Sequence, residues 1–194
     1  MKPKGRRPGE NQTRRIILDT ARRKFSEDGY EGTSVRSIAR AAEVDAALVL
    51  HFFASKERLF TEATQWPFST EAAVTAILAG PRSGIGLRLA RFSLSVWEHP
   101  ERREPIMGML RAATTSDHAA GLLRETLREQ ILGPVGAGLD IEDADLRMSL
   151  CGAHIVGLGV ARYVVRLEPL ASQSVEDVAE LVAPVFQRYM VGRL

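Results

Sequence analysis

Residues 33–60 read TSVRSIARAAEVDAALVLHFFASKERLF, and this stretch decides the fold of the N-terminal part of the chain. Thr33 or Ser34 is a suitable N-cap for a helix. Apolar residues then recur at i, i+3, i+4 and i+7, the spacing of one helix face: Val35, Ile38, Ala39 and Ala42. A turn follows, and Asp45 is an N-cap for another helix that runs to about Phe53. The stretch therefore predicts two short helices joined by a tight turn.

The flanking residues extend this pattern on both sides. Asn11 or Thr13 can cap a preceding helix that ends at Gly29, and Ser55 can cap a following helix that ends before Pro67. Two short helices after a basic first helix make a helix-turn-helix candidate. Five apolar residues would hold the pair at a fixed angle: Ile38, Ala39, Val44, Val49 and Phe53.

Beyond residue 62 the pattern stays helical, and no alternating strand pattern is convincing. Breakers separate six further predicted helical segments: 69–79, 85–97, 105–115, 117–131, 143–167 and 175–190. The fold class is therefore all-α, with nine or so helices. We expect a flexible basic arm at 1–10, a helix-turn-helix domain at 11–62 and a second helical domain at 63–194.

The charge is unevenly distributed over the 194 residues. Residues 1–60 hold 13 Lys/Arg against 8 Asp/Glu, a net charge of +5, while the remainder holds 13 against 16, a net charge of −3. A positive end on a mildly acidic body favours a polyanion-binding head. The alternative is a basic tail that only improves solubility.

The single cysteine, Cys151, excludes an internal disulfide framework and suits a reducing compartment. The longest stretch without Asp, Glu, Lys or Arg is Met148–Ala161, which is shorter than the roughly 20 residues of a membrane helix. We therefore expect a cytoplasmic protein that does not bind a membrane. We expect neither a cofactor nor a metal ion.

Three segments together resemble the tetracycline-repressor (TetR) family: GYEGTSVRSIA at 29–39, AEV at 42–44 and FASKERLF at 53–60. The resemblance covers about residues 12–62 without a gap, and the run ARYVVRLEPLA at 161–171 is similar to a subgroup of the family's ligand domains. It implies a homodimeric, all-helical transcription factor. Such proteins are usually repressors that leave a double-stranded DNA operator when a small molecule binds the C-terminal domain.

The resemblance also implies roles for particular residues. Ala46, Ala47 and Leu50 would face the bases, while Leu48, His51 and Phe52 would lie along the phosphates. Arg36 would reach a base edge, and backbone contacts would come from the region of Thr33, Asp45 and Lys56. Leu50 stands where a tyrosine is frequent and Phe52 where a histidine is frequent, so the three base-facing side chains offer no hydrogen-bonding group. We therefore expect the sequence to be read by packing on thymine methyl groups, by Arg36 at a guanine and by DNA shape. The composition of the arm, and not the resemblance, indicates that Lys4, Arg6 and Arg7 could lie along the DNA backbone or enter a minor groove.

The C-terminal part predicts an association surface and a pocket. Small residues recur at four-residue intervals on one predicted helix: Ala153, Gly157 and Ala161. The last predicted helix carries an apolar stripe: Val178, Leu181, Val182, Val185 and Tyr189. Paired with their copies in a second chain, these two helices would form a four-helix dimer interface. Ordinary packing within one chain is the alternative. Apolar faces on the central helices would line a pocket for a flat, apolar ligand, with Phe92, Trp97, Met107, Leu110, Arg111 and His154 as candidate residues.

Two other classes of protein compete with a DNA-binding regulator. Cys151 and His154 lie three residues apart on one helix face and could form a thiolate–imidazole pair of an enzyme. No carboxylate lies near them in sequence, so buried packing is favoured and we expect no enzyme. A helical adaptor would keep its partners after Arg36 and Lys56 were replaced.

Overall fold

A computed structural model describes residues 9–63 and 68–194 of the chain. The predicted arm residues Lys4, Arg6 and Arg7 lie outside these ranges. Within them the structure contains eleven α-helices and no β-strand, which confirms the all-α prediction. The chain divides into two compact units. The first comprises the described residues within Met1–Gln65 together with Glu104–Leu123, a segment that the sequence placed in the C-terminal domain.

The first unit begins with four helices: α1 (Glu10–Gly32), α2 (Val35–Ala41), α3 (Ala46–Phe53) and α4 (Lys56–Ala63). Gly9, not Asn11 or Thr13, is the N-cap of α1, and no side chain caps this helix. Gly29 interrupts α1 as predicted, with φ +73° and ψ 177°, a conformation that an L-residue rarely adopts. The chain resumes a helical turn at Tyr30.

Local hydrogen bonds fix the starts of α2, α3 and α4. Ser34 is the N-cap of α2 and forms a capping box with Ser37, each hydroxyl accepting from the other residue's backbone N–H. Asp45 caps α3 by accepting from Ala47 N at 2.7 Å. Ser55 Oγ accepts from Arg58 N at 3.2 Å. The predicted Asp45 and Ser55 caps are confirmed.

A dense apolar core holds these helices. The ring of Phe60 lies edge-on to Phe25 at 5.0 Å and to Tyr30 at 4.9 Å between centroids. Four of the five residues predicted to fix the helix pair are buried, and the fifth, Val44, packs against the same core. Aromatic burial of this kind makes α3 a rigid support for whatever lies on its other face.

The remaining helices are α5 (Thr70–Leu78), α6 (Ile85–Glu98), α7 (Pro100–Thr115), α8 (Asp117–Leu127), α9 (Gly133–Leu139), α10 (Ala144–Gly159) and α11 (Val175–Val191). Two predicted boundaries are wrong. Helix α7 begins at Pro100, so Pro105 lies inside it. Gly133-Pro134 does not end a helix, because a π-helical turn (Arg128–Leu132) leads directly into α9 and proline is tolerated in a first helical turn.

The second unit comprises the described residues within Trp66–Arg103 together with Arg124–Leu194. Helices α6 and α11 pack closely because Gly86 has no side chain. A Cβ atom at this position would overlap the backbone of Ala183 and Gln187. The Gln187 side chain links the two segments: it accepts from Gly86 N at 2.9 Å and donates to Arg82 O at 2.8 Å. Large side chains such as Phe186 fill the core between them.

Helix α10 continues through a π-helical segment (Val160–Val165). The resulting helix, Ala144–Val165, is long and apolar enough to cross a membrane by length and composition alone. This helix is longer than the uncharged stretch Met148–Ala161, so the prediction that no segment is long enough to span a membrane is wrong. One such helix is weak evidence for a membrane span, because a helix that packs against other protein passes the same test.

Candidate nucleic-acid interface

Helix α3 has one buried and one exposed side. Val49 and Phe53 are buried in the core of the first unit. On the opposite side, three exposed residues of α3 follow the i, i+3, i+4 spacing: Ala47, Leu50 and His51. The exposed C-cap residue Ala54, with a non-helical φ of 61°, follows them, and we call these four residues the outer face of α3. Leu50 is 45% exposed, an unusual degree for a large apolar side chain inside a packed domain. The outer face is free for contact with another molecule.

The other predicted positions of α3 lie at its edges. Ala46, Leu48 and Phe52 are half-buried, and Ala46 and Phe52 pack against the core. Leu48 and Phe52 also line a groove of about 970 Å³, which runs between α3 and the N-terminal half of α1. Acidic side chains of Glu10, Glu43 and Asp45 contribute to this groove. Because carboxylates repel phosphate, this wall is unsuited to holding the DNA backbone.

Thr33 is not part of the exposed surface, although the resemblance placed it at a backbone contact. Its exposed fraction is 1%, and its hydroxyl donates to Gly29 O at 2.7 Å and lies 3.0 Å from Lys24 O. These bonds close the end of α1 onto the start of α2. The side chain therefore has a structural role, which the sequence missed because Thr33 and Ser34 looked equivalent as caps.

Arg36 is exposed on α2, two residues after the N-cap Ser34. The neighbouring Arg40 is also exposed. Guanidinium groups at such positions can bind a phosphate or the guanine edge in a bidentate manner.

Lys56 stands at the start of α4 above an aromatic ring. Its ammonium lies 4.0 Å from the centroid of the Tyr30 ring, a cation–π contact. The Tyr30 hydroxyl donates to Glu57 Oε1 at 3.2 Å, and the His118 ring lies 5.5 Å from Tyr30. Tyr30 lies in the segment that resembles the family, and no role was predicted for it, because its contact with Lys56 joins residues distant in sequence.

The electrostatics of this cluster follow from its contacts. Burial and the nearby Glu57 carboxylate raise the pKa of Tyr30 to about 12. A hydrogen bond from Ser55 lowers the pKa of Glu57, and the hydrogen bond from Tyr30 acts in the same direction. Tyr30 is therefore a neutral donor and Glu57 a stable anion at neutral pH.

The residues predicted for a dimer interface fall into two groups. Ala153, Gly157 and Leu181 are exposed, Leu181 to 71%. A Cβ atom at Gly157 would meet nothing within 4 Å, so this glycine points away from its own unit. Val178 is buried in the core of the second unit, and Val182 and Tyr189 pack against that core. Ala161 and Val185 are half-buried.

The six predicted pocket residues are divided between the two units. Phe92, Trp97 and His154 belong to the second unit, and Met107, Leu110 and Arg111 to the first. Trp97 is buried and stacks on Tyr163 at 6.3 Å, while His154 lies 5.1 Å from the Phe186 ring. Arg111 is exposed and donates to Ser26 Oγ. Met107 and Leu110 are half-buried.

The cysteine considered for an enzyme is deeply buried. Burial raises the pKa of the Cys151 thiol to about 12, so a thiolate is strongly disfavoured at neutral pH. His154 packs on aromatic rings. Among residues 9–63 and 68–194, no group of three His, Cys, Asp or Glu side chains is arranged to hold a metal ion.

A capped helix pair with an exposed second helix defines a helix-turn-helix protein, and comparison with known proteins identifies its class. Residues 17–63 match the family described as bacterial regulatory proteins, tetR family. Residues 83–190 match the tetracyclin repressor-like C-terminal domain. The chain belongs to the TetR family of regulators, and its first helices form that family's DNA-binding domain.

Individual relatives agree with this assignment. A TetR-family regulator from Streptomyces coelicolor A3 is 39% identical, with 96% of this chain and 99% of that chain covered and a TM-score of 0.68. NalD of Pseudomonas aeruginosa, the secondary repressor of the MexAB-OprM multidrug efflux pump, shares the fold at 19% identity, with 95% and 98% of the chains covered and a TM-score of 0.66.

A shorter similarity involves the HTH-type transcriptional repressor AcnR of Corynebacterium efficiens. The two chains are 44% identical over 48 residues. That segment is 25% of this chain and only 26% of AcnR.

Proposed function

We propose that the chain is a cytoplasmic, homodimeric, sequence-specific DNA-binding repressor that a small, largely apolar ligand releases from its operator. The outer face of α3 is the observation that carries the proposal. It is exposed, it lies on a helix held by an N-cap and a buried aromatic core, and it belongs to the DNA-binding domain of a TetR-family protein. A helix presented in this way fits the major groove.

The DNA contacts divide into two kinds. Ala46, Ala47 and Leu50 would approach the base edges, with Arg36 of α2 beside them. Phosphate contacts would come from Lys56. The positions Leu48, His51 and Phe52, which the resemblance placed along the phosphates, line the acidic groove, so we assign them no phosphate contact. Since the groove beside α3 is lined by three carboxylates, the positive charge for the backbone comes from Lys56, Arg36 and the arm residues Lys4, Arg6 and Arg7.

Exposed apolar surface on the second unit supports dimerisation. On α10, Leu146, Ala153 and Gly157 are exposed on one helix face, and Leu181 on α11 is exposed to 71%. Apolar side chains on two helices are typical of an isologous four-helix interface between identical chains. Val178 belongs to the core, so the interface we propose uses the exposed members of the predicted set.

The ligand would bind the second unit, which contains most of the residues matched by the family's C-terminal domain. Aromatic side chains there, including Phe92, Trp97 and His154, favour an apolar ligand. Release requires that the ligand bind one conformation better than the other.

Genomic footprinting of the native protein tests the proposal. We expect discrete protected sites with twofold symmetry, and we expect an Arg36→Ala variant to lose them. An Arg124→Ala variant, which removes the same charge from the exposed surface of α8, should keep them. Uniform coverage of the genome, or no protection by the native protein, would contradict the proposal.

A further inference from the structure

The outer face of α3 is almost entirely apolar. Of its four residues, Ala47, Leu50 and Ala54 end in methyl groups, and only His51 carries a hydrogen-bonding side chain. The half-buried Ala46 at the start of the helix adds a further methyl group. A helix that reads DNA with hydrogen bonds needs Arg, Lys, Asn, Gln or similar residues at these positions. This helix has none of them on that face.

An apolar face can distinguish base pairs in one way. In the major groove, guanine, cytosine and adenine present hydrogen-bonding groups, and thymine alone adds a C5-methyl group. An apolar side chain against a polar base edge removes water without replacing its hydrogen bonds, which is unfavourable. Against a thymine methyl, the same side chain buries apolar surface, which is favourable.

Leu50 is the side chain best placed for this contact. It is the most exposed large apolar residue described in the first unit, at 45% compared with 37% for Ile16 on α1. It lies between Ala47, one turn before it, and the C-cap residue Ala54 that ends the helix. The small alanines allow the helix to approach the groove closely, and Leu50 then projects beyond them.

We propose that the outer face of α3 recognises thymine through its methyl group, with Leu50 as the specificity-determining residue. This inference rests on the proposed DNA-binding function and names the base feature that the site reads. Burying one methyl group contributes about fourfold to affinity, which corresponds to about 0.8 kcal/mol.

Deoxyuridine provides the test, because it differs from thymidine in the base only by the missing methyl group. The full-length protein first selects duplexes from a random-sequence library. Each thymine in the enriched positions is then replaced by deoxyuridine, one position at a time. We expect that replacement at one or two positions in each half-site weakens binding about fourfold and leaves the dependence on salt unchanged.

Variants of Leu50 connect the effect to this side chain. Since Leu50 lies outside the core, Leu50→Ala should fold normally, and circular dichroism checks this. We expect L50A to bind thymine and deoxyuridine duplexes equally, and Leu50→Met, which keeps the apolar reach, to retain the preference for thymine. Ile16→Ala serves as a matched control that should discriminate like the native chain.

The outcomes separate this inference from the proposed function. Selection that yields no duplex bound above background would overturn both. Selected duplexes that bind equally well with deoxyuridine would overturn only the reading of thymine by methyl contact. Unchanged discrimination in L50A would overturn the role of Leu50.

Discussion

The Lys56 ammonium lies 4.0 Å from the centre of the Tyr30 ring, while the Tyr30 hydroxyl donates to Glu57, the residue after Lys56. The ring therefore holds the start of α4 at two points. Tyr30 is buried in the core of the first unit. The packing of that unit therefore fixes the position of the Lys56 ammonium. A lysine positioned in this way can meet a phosphate with little loss of side-chain entropy.

Lys56→Ala should weaken DNA binding by a similar factor on every sequence, because a phosphate contact carries no sequence information. The slope of the log affinity against log salt should fall in magnitude by about 0.9. Lys24→Ala is the matched control, since Lys24 already pairs with Asp28 on α1. Fluorescence anisotropy over a salt series measures both slopes. A loss confined to selected sequences would contradict the role of Lys56.

Ser34→Ala should lower the free energy of unfolding of the first unit by about 1 kcal/mol, because the start of α2 loses its capping box. Ser34→Asp should retain most of the stability, since aspartate is an equally good N-cap. Urea denaturation compares the two variants. Equal losses in both would show that the cap is not what stabilises α2.

Two glycines of α10 should respond in opposite ways to a methyl group. A Cβ atom at Gly159 would overlap the buried Trp97 indole, so Gly159→Ala should destabilise the second unit by about 3 kcal/mol. At Gly157 a Cβ atom meets nothing. Gly157→Ala should therefore leave the stability of the isolated chain unchanged or raise it by up to about 1 kcal/mol.

Thermal denaturation of the two variants provides the comparison. The protein concentration should be low enough for the chain to be monomeric, so that contacts between chains do not contribute to the measured stability. Similar losses at both positions would mean that Gly157 does not face away from its own unit.

Gly157→Leu should weaken self-association, because a bulky side chain on the exposed face of α10 would separate two closely packed copies. Sedimentation velocity should show the native chain as a dimer and the variant shifted toward monomer. Gly121→Leu is the control, since Gly121 on α8 also has open space around its Cβ position and lies outside the proposed interface. A variant G157L that stays fully dimeric would exclude this face.

Stability should fall in alkali. The pKa of Tyr30 is raised from 10.0 to about 12, so the folded state keeps the proton while the unfolded state loses it. The stability contributed by neutral Tyr30 is fully present below pH 10 and is lost as the pH rises from 10 to 12. Tyr163 in the second unit behaves in the same way.

Tyr30→Phe removes one of the groups whose pKa is raised in the folded state. Its free energy of unfolding, measured by urea denaturation, should depend less steeply on pH between 10 and 12 than that of the native chain. An unchanged dependence in Y30F would indicate that Tyr30 ionises equally easily in both states.

Much of the first unit could be predicted from sequence because its signals are local. Side-chain caps at Ser34, Asp45 and Ser55 and the break at Gly29 depend on neighbouring residues alone, and the structure contains all four. The predicted start of α1 at Asn11 or Thr13 was wrong, because a helix can begin without a side-chain cap when its exposed N–H groups reach water.

The other errors have two origins: prolines that helices accommodate, and burial that depends on contacts distant in sequence. Pro105 and Gly133-Pro134 looked like breakers, yet the structure places both inside continuous helical segments. Thr33 and Val178 had the right residue types for their predicted surfaces, but burial depends on which elements pack over them. The Tyr30–Lys56 contact joins residues 26 positions apart, which no local pattern predicts.

Sedimentation of the chain with a library-selected duplex over a range of salt concentrations tests whether two copies bind one operator through its phosphates. We expect two chains on each duplex and an affinity that decreases steeply with added salt. A single chain per duplex, or an affinity that does not respond to salt, would contradict it.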